Sequence, residues 1–225
     1  MTARPPRFTS VSPMALCIEA MDSVLAVHWP DAEHVHLVDE SLYADLGPDV
    51  VITPRVERRL DTLLHYAATS GAGGILFTGS VFGDAVMRSR RSIGVPVLHA
   101  YEALIEAAFA AGRRIGVVTT SPFPMKTIQA DFAAYAQAHG IAGYELVTRV
   151  NAAARPLTLA GDVAGHDRMV AATARELAEV DVLVLGHFSM ATAAALIRRE
   201  GGRPVLTAPE TAVQAMRRQL EGKPL

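Results

Sequence analysis

The sequence predicts an α/β protein built from two pseudo-symmetric lobes, each with a parallel sheet. Short apolar strands alternate with amphipathic helices along the 225 residues, which is typical of a parallel sheet covered by helices. A shift of 108 residues brings 96–102 (PVLHAYE) onto 204–210 (PVLTAPE). The same shift brings 75–79 (ILFTG) onto 183–187 (LVLGH). Two matches at one shift indicate a duplicated α/β unit.

The elements of the first half follow from apolar runs and helical spacing. An apolar run predicts the first strand over 15–20, and a short helix follows over 22–29. Residues 34–38 are predicted as the second strand. Val56, Leu60 and Leu64 have helical spacing, which predicts a helix that a glycine-rich segment ends. This helix is predicted over 56–68. The elements that follow it are a strand over 75–78, a helix over 82–90, a strand over 95–99 and a helix over 101–111.

The second half repeats the alternation. Gly140 closes one predicted helix, Gly201 and Gly202 end another, and Pro209 suits the first position of the last helix. The predicted strands are 114–119, 144–150, 182–185 and 204–207, and the predicted helices are 125–139, 166–178, 191–200 and 209–220. We expect a flexible tail over 1–13, a first lobe of 14–110 plus 203–225, and a second lobe of 111–202.

Composition narrows the class of protein. A net charge of −2 and a pI near 6.4 do not suggest a nucleic acid or an anionic membrane surface as a partner. Cys17 is the single cysteine of the sequence, so an internal disulfide is excluded and a reducing compartment is favoured. No apolar run reaches the length of a membrane span. We therefore expect a cytoplasmic protein without nucleic-acid or membrane partners.

Ligands of open parallel sheets bind beyond the carboxyl ends of the strands. Three segments occupy such positions: Gly79-Ser80, Thr119-Thr120-Ser121 and His187-Phe188-Ser189. Gly79 permits close approach to the backbone, and the amides and hydroxyl that follow suit an anion. The hydroxyls at 119–121 suit a carboxylate or a phosphate. Each segment is also compatible with a simple helix cap or turn.

His187 is the candidate for proton transfer, because its imidazole titrates near neutral pH. A structural histidine beside the core is the alternative. His34 and His36 lie on one face of the second strand with Asp39 beyond it, but no clear third metal ligand is evident, so we predict no metal site. Cys17 falls in the predicted first strand, where we expect it to pack as a small apolar side chain.

Four segments in order resemble the aspartate/glutamate racemase superfamily. Residues 74–83 (GILFTGSVFG) resemble its first active-site motif. The others are 96–98 with Glu102, 116–120 (GVVTT), and 183–190 (LVLGHFSM). The resemblance covers nearly the whole chain from residue 15. It implies two pseudo-symmetric α/β lobes with the active site in the cleft between them.

The resemblance also implies which residues do the chemistry. Racemases of this superfamily carry one cysteine at each of two equivalent strand ends, and these positions match Gly79 and His187 here. Because neither is cysteine, two-thiol racemisation is not expected. Arylmalonate decarboxylases of the same superfamily resemble this layout more closely, with glycine at the first position and one proton donor at the second. Their donor is a cysteine, where this chain has His187.

The sequence therefore predicts a cofactor-independent enzyme that moves a proton at the carbon α to a carboxylate, as a decarboxylase or isomerase does. His187 is the predicted catalytic residue. The predicted partners are a small carboxylate substrate and, by resemblance, a second copy in a homodimer; no metal is expected. The predicted substrate-binding residues are Gly79, Ser80, Val81, Thr119, Thr120, Ser121, Phe188 and Ser189. A non-catalytic carboxylate-binding homologue, and a racemase or isomerase whose first cysteine was replaced with Gly79, are alternatives.

Overall fold

The computed structural model describes residues 7–222 and contains two four-stranded sheets in which every strand pair is parallel. The chain divides into two compact units, residues 1–100 with 212–225 and residues 101–211. The predicted lobe boundaries, after 110 and 202, thus differ from these divisions by ten and nine residues, respectively. The helix after residue 101 and the strand that ends at 207 belong to the second unit.

The first unit contains a sheet of strand order β2-β1-β3-β4. Short 3-10 turns over Ser80–Phe82 and Arg90–Ser92 flank one of its helices. Its strands are β1 (Arg7–Ser12), β2 (Glu33–Val38), β3 (Gly74–Phe77) and β4 (Val97–His99). Its helices are α1 (Cys17–His28), α2 (Ser41–Ala44), α3 (Pro54–Thr69) and α4 (Gly83–Ser89).

The second unit contains a sheet of strand order β6-β5-β7-β8. Its strands are β5 (Arg114–Thr119), β6 (Glu145–Val150), β7 (Val182–Leu185) and β8 (Val205–Thr207). The helices from residue 102 on are α5 (Glu102–Ala111), α6 (Pro122–Ala138), α7 (Arg155–Leu159), α8 (Val163–Arg175), α9 (Ala193–Arg199) and α10 (Ala208–Glu221). The division between the units after residue 211 falls within α10.

The two sheets have the same strand order, which confirms the duplicated α/β architecture. The predicted shift of 108 residues carries β3 onto β7 and β4 onto β8 without any offset. It also carries the 3-10 turn Ser80–Phe82 onto Phe188–Met190. Gly79 and His187 are therefore equivalent: each follows the third strand of its unit and precedes a 3-10 turn, with an extended backbone.

The predicted first strand over 15–20 is wrong, and so is the flexible tail over residues 7–12. These six residues form β1, which pairs with both β2 and β3, whereas Cys17–His28 is helical. The sequence of β1 does not read as an apolar run, because three of its buried residues carry hydroxyl groups: Thr9, Ser10 and Ser12. The side chains of Ser10 and Ser12 have polar partners: Ser10 Oγ lies 2.8 Å from His34 Nε2, and Thr78 Oγ1 donates to Ser12 Oγ at 3.0 Å. The rest of the predicted tail, residues 1–6, lies outside the described residues.

Helix α3 shows how the first unit acquires its core. Thr53 caps its start by accepting a hydrogen bond from the Val56 amide at 3.4 Å, and Pro54 occupies the first turn. Leu60 and Leu64 are fully buried on the face that packs with Ile75 of β3. Burying such a side chain stabilises the fold by roughly 1.5–3 kcal/mol.

Helices α8 and α9 build the core of the second unit against β5 and β7. Val170, Ala171 and Ile197 pack there with Val118 and Leu185. Asp162 caps α8 by accepting a hydrogen bond from the Gly165 amide at 2.8 Å. This packing supports the ends of β5 and β7, where the candidate site residues of this unit begin.

Within residues 7–222, none of the helices is both long enough and apolar enough to cross a membrane.

Candidate functional site

His187 stands two residues beyond the end of β7, as the sequence predicts. Its side chain is half-buried, and its Nε2 is inaccessible to solvent with no hydrogen-bond partner among residues 7–222. Buried polar atoms in proteins are nearly always hydrogen-bonded, so an unpartnered one at a strand end marks a candidate functional group. A histidine satisfied within the core, the alternative interpretation from the sequence, does not describe this side chain.

The backbone before His187 is held from two sides. The Gly186 amide donates to the Val118 carbonyl at 2.9 Å, and the Tyr101 hydroxyl donates to the Gly186 carbonyl at 2.5 Å. A Cβ at position 186 would lie 2.8 Å from Thr119 Cγ2 and 3.2 Å from the Val118 carbonyl oxygen. Glycine is therefore required where β7 passes the end of β5. Tyr101, which is fully buried, is a positioning residue for His187.

The surroundings of His187 keep its imidazole neutral at neutral pH. Burial, together with the smaller effects of the neighbouring Arg155 and His166, lowers the pKa of His187 to about 4. Arg155 begins α7 and is exposed, with no ion-pair partner among the described residues. An unpaired guanidinium next to an imidazole suits an anionic ligand.

His166 supplies a second imidazole near His187. It is buried in the first turns of α8, and its Nδ1 lies 2.9 Å from Asp167 Oδ1. Thr192 Oγ1 donates to the same carboxylate oxygen at 2.7 Å. An ionised carboxylate only accepts, so Nδ1 of His166 is the donor in this hydrogen bond. The Nε2 of His166 is also buried without a partner among the described residues.

The three hydroxyls after β5 differ in their availability. Thr119 is fully buried and donates to the Ser121 carbonyl at 2.9 Å, so its hydroxyl shapes the turn. The Thr120 and Ser121 hydroxyls have no hydrogen-bond partner among the described residues, and Ser121 precedes α6 without capping it through its side chain. Thr120 and Ser121 thus keep donors that a ligand could use.

Phe188 and Ser189 follow His187 in the 3-10 turn Phe188–Met190. The Phe188 ring is buried and anchors this turn, whereas Ser189 is half-buried. The Ser189 carbonyl accepts a weak hydrogen bond from Thr192 Oγ1 at 3.5 Å. The turn therefore joins His187 to the residue that also binds Asp167.

Gly79, Ser80 and Val81 lie in the first unit, after β3. The sequence suggested that Gly79 leaves room for a ligand, but the direction of a side chain at this position is occupied. A Cβ there would lie 2.6 Å from Pro13 Cγ, 2.7 Å from Phe77 Cε1 and 2.8 Å from Phe82 Cδ2. The Gly79 backbone has φ −83°, which any residue adopts, so packing rather than conformation favours glycine. Ser80 and Val81 are half-buried.

The sequence expectation for Cys17 is corrected, and Asp39 has partners of its own. Cys17 lies at the start of α1 and not in a strand, although it is buried as expected. Burial raises the pKa of its thiol to about 11, against a smaller lowering by its hydrogen bond with Thr78. Asp39 does not join His34 and His36, because its carboxylate accepts a hydrogen bond from the Ser41 amide at 3.0 Å and pairs with Arg59 at 3.2 Å.

Sequence reasoning missed Tyr101, Arg155 and His166. Arg155 and His166 come from α7 and α8, and no local motif connects them with the strand end at 187. The pair His166-Asp167 was the signal in the sequence that could have indicated His166, since a carboxylate beside a histidine often fixes its tautomer. Tyr101 falls in the repeated segment 96–102, where the second copy has Pro209.

We expect the free energy of unfolding to fall as the pH decreases from about 6.5 to 4. His187 and His34 both have a pKa near 4 in the folded protein and near 6.5 when unfolded, so the unfolded state binds more protons in this window. Each imidazole contributes at most about 1.4 kcal/mol per pH unit. Urea unfolding at pH 7, 5.5 and 4.5 measures the slope. His187→Gln should flatten it, and an unchanged slope would contradict the neutral, buried imidazole.

Comparison with solved structures shows the same fold in racemases and a decarboxylase. An allantoin racemase from Klebsiella pneumoniae superposes with a TM-score of 0.67 at 18% identity, covering 94% of this chain and 86% of that one. An unliganded arylmalonate decarboxylase superposes with a TM-score of 0.65 at 18% identity, covering 97% of this chain and 94% of that one. A glutamate racemase from Bacillus anthracis superposes with a TM-score of 0.65 at 13% identity, covering 97% of this chain and 84% of that one.

A search of curated proteins gives no significant match. The family model described as Asp/Glu/hydantoin racemase matches residues 15–216, which is nearly the whole sequence. The strand order, the equivalent strand ends and this match agree: the chain belongs to the Asp/Glu/hydantoin racemase family.

Proposed function

We propose that the protein is a cofactor-independent enzyme that transfers a proton at the carbon α to the carboxylate of a small acid, using His187 on one side only. The observation that carries the proposal is the buried, unpartnered Nε2 of His187 at the end of β7, beside the charge of Arg155. Family membership supports a small carboxylate as the substrate class. The reaction would be of the decarboxylase or isomerase type.

The second unit offers a set of groups for the carboxylate. Arg155 supplies an exposed positive charge, and Thr120 and Ser121 supply hydroxyl donors at the neighbouring strand end. Guanidinium and hydroxyl donors are strong partners for an anionic oxygen. We assign Arg155 to substrate binding together with Thr120, Ser121, Phe188 and Ser189 of the same unit, with Thr119 shaping the turn. For Gly79, Ser80 and Val81 of the first unit, substrate binding stays a prediction from the sequence.

The proton balance depends on the bound anion. In the free protein, neutral His187 can accept a proton but is a poor donor. A bound carboxylate offsets the charge of Arg155, which raises the pKa of His187 towards neutrality and allows the imidazolium to form. In an isomerisation, His187 removes the α proton and returns it to the enediolate. In a decarboxylation, the C–C bond breaks, CO₂ leaves, and the electron pair of the bond stays on the α carbon as the enediolate. The imidazolium then protonates this carbon.

Gly79, at the strand end equivalent to that of His187, supports proton transfer on one face of the substrate only. Racemisation requires a second group to protonate the opposite face, and Gly79 has no side chain that can do so. Cys17 does not replace it in this role, because its thiol is buried and its pKa of about 11 leaves it protonated. The asymmetry between Gly79 and His187 therefore favours decarboxylation or isomerisation over racemisation.

Incubation with a panel of acids in D₂O tests the proposal. Malonates, 2-hydroxy acids and amino acids are incubated with the protein, and ¹H NMR follows loss of the α proton while a coupled assay follows CO₂. We expect deuterium incorporation or decarboxylation with one stereochemical outcome. Racemic product from a single enantiomer, or a rate unaffected by removal of His187, would contradict the one-sided mechanism.

A second candidate is a carboxylate-binding protein without catalysis. The low pKa of His187 favours it, since an imidazole with a pKa of about 4 is a weak base. This candidate predicts thermal stabilisation by small carboxylates without turnover. Stabilisation accompanied by deuterium exchange would favour the enzyme, and stabilisation without exchange on any acid of the panel would favour the binding protein.

Two further expectations accompany the proposal. Cytoplasmic location agrees with the single cysteine, and homodimer formation is implied by family resemblance. Analytical ultracentrifugation of the full chain tests the second of these, with a monomer at all concentrations as the contradicting result.

A further inference from the structure

Three metal-binding side chains converge on one side of the first sheet. His34 and His36 belong to β2, and Asp22 belongs to α1. Asp22 Oδ1 lies 2.8 Å from His36 Nε2 and 3.7 Å from His34 Nδ1. One ligand atom from each of the three residues lies within 4.8 Å of the other two.

The local structure explains this convergence. Alternate residues of a strand point to the same face, so His34 and His36 project together, and their rings meet edge-on with centroids 4.3 Å apart. Their contacts with Asp22 show that α1 presents its carboxylate to this face. Both elements belong to the first unit, so the cluster is complete within it.

The spacing suits a tetrahedral ion. Zinc binds imidazole nitrogen and carboxylate oxygen at about 2.0–2.2 Å, which places neighbouring tetrahedral ligand atoms roughly 3.3–3.6 Å apart. The distances of 2.8 and 3.7 Å from the Asp22 oxygen bracket that range. At 3.7 Å, the contact between His34 Nδ1 and the carboxylate is longer than an ordinary hydrogen bond.

His34 is oriented for ligation by its other nitrogen. Its Nε2 lies 2.8 Å from the hydroxyl of Ser10, a fully buried residue of β1. When Nε2 donates this hydrogen bond, the neutral imidazole carries its lone pair on Nδ1, the atom that faces Asp22. A hydrogen bond of this kind from the second nitrogen is the usual support of a metal-binding histidine.

The cluster is also accessible. The Asp22 side chain is 58% exposed, whereas His34 and His36 are 10% and 19% exposed. An ion can therefore enter past the carboxylate, and water can supply a fourth ligand, while the two imidazoles stay shielded.

We infer that Asp22, His34 and His36 form a Zn²⁺-binding site that joins α1 to the edge strand β2. Two nitrogens and one carboxylate favour Zn²⁺ over Mg²⁺ or Ca²⁺, which prefer oxygen ligands. The site does not depend on the function proposed for His187. Bound Zn²⁺ would stabilise the folded chain in proportion to its free concentration, because the unfolded chain does not hold the three ligands together.

Titration calorimetry of the full chain with Zn²⁺ at pH 7 tests the inference. We expect one equivalent to bind to the wild type and at least tenfold weaker binding to Asp22→Asn and His36→Gln. Ser10→Ala, which removes only the hydrogen bond to His34, should weaken binding by about 10- to 100-fold. His139→Ala removes an exposed histidine on α6's C-terminal side and is the matched control, which should bind as the wild type does.

Two results would overturn the site. One is binding of Zn²⁺ to Asp22→Asn with wild-type affinity, since this exposed substitution should not prevent folding. The other is wild-type binding no stronger than that of a triple variant, Asp22→Asn with His34→Gln and His36→Gln. Thermal denaturation with and without Zn²⁺ gives a second readout: a rise in Tm for the wild type and the His139→Ala control, and none for Asp22→Asn.

Discussion

His187→Ala should lower kcat by about 10²- to 10⁴-fold on whichever acid of the panel is turned over, because general acid–base catalysis by one side chain typically contributes that much. The Nε2 of His187 has no protein partner among the described residues, so its removal breaks no hydrogen bond that holds the fold. We therefore expect kcat to fall much more than KM rises. Steady-state kinetics and deuterium exchange measure the two effects.

The controls separate chemistry from folding. His139→Ala removes an exposed histidine of the same unit and should leave kcat unchanged. Urea unfolding of His187→Ala at pH 7 should show a free energy close to that of the wild type. If His187→Ala keeps full turnover, the imidazole is not the proton-transfer group. Arg155→Gln should instead raise KM, because it removes the charge assigned to the substrate carboxylate and leaves the imidazole in place.

Gly79→Cys should destabilise the protein by about 1–3 kcal/mol and confer no racemase activity. A Cβ at this position would lie within 2.8 Å of atoms of Pro13, Phe77 and Phe82, and the two phenylalanine rings are fully buried. The thiol could be accommodated only if those rings moved. Chemical denaturation measures the stability, and chiral analysis of recovered substrate measures racemisation.

The outcome of this substitution distinguishes two histories of the site. If Gly79 simply replaced a cysteine in an otherwise unchanged site, Gly79→Cys would fold normally and gain racemisation or isomerisation. If the surroundings have repacked around glycine, as the contacts with Pro13, Phe77 and Phe82 indicate, it would lose stability and gain nothing. Gly94→Cys is the control, because a Cβ at that glycine would meet no atom within 4 Å.

Most of the fold could be predicted from the sequence, because apolar strands and helical spacing are local signals. The strands β5 and β7 were predicted at their observed bounds, and the repeat predicted the equivalence of Gly79 and His187. The first strand was missed because Thr9, Ser10 and Ser12 make a buried strand look polar. The hydroxyls of Ser10 and Ser12 form hydrogen bonds with residues distant in the sequence, His34 and Thr78.

The candidate site was only partly predictable. His187 was identified because it follows an apolar strand. Its neutral state depends first on burial and then on the charges of Arg155 and His166, and all of these arise from tertiary packing. Likewise, tertiary packing brings Asp22 of α1 to His36, whereas Asp39, which follows the same strand in the sequence, pairs with Arg59. The atoms of Pro13, Phe77 and Phe82 that a Cβ at position 79 would meet were also out of reach of the sequence, because strand periodicity does not encode ring positions.

The buried thiol of Cys17 has a consequence for how the protein withstands oxidants and alkylating reagents. Enzymes that act through a thiolate lose activity when that sulfur is oxidised or alkylated. Here the single sulfhydryl is shielded and stays protonated at neutral pH, and the proposed chemistry rests on an imidazole. Such a protein would retain its activity after exposure to peroxide or iodoacetamide, whereas a two-thiol relative would be inactivated.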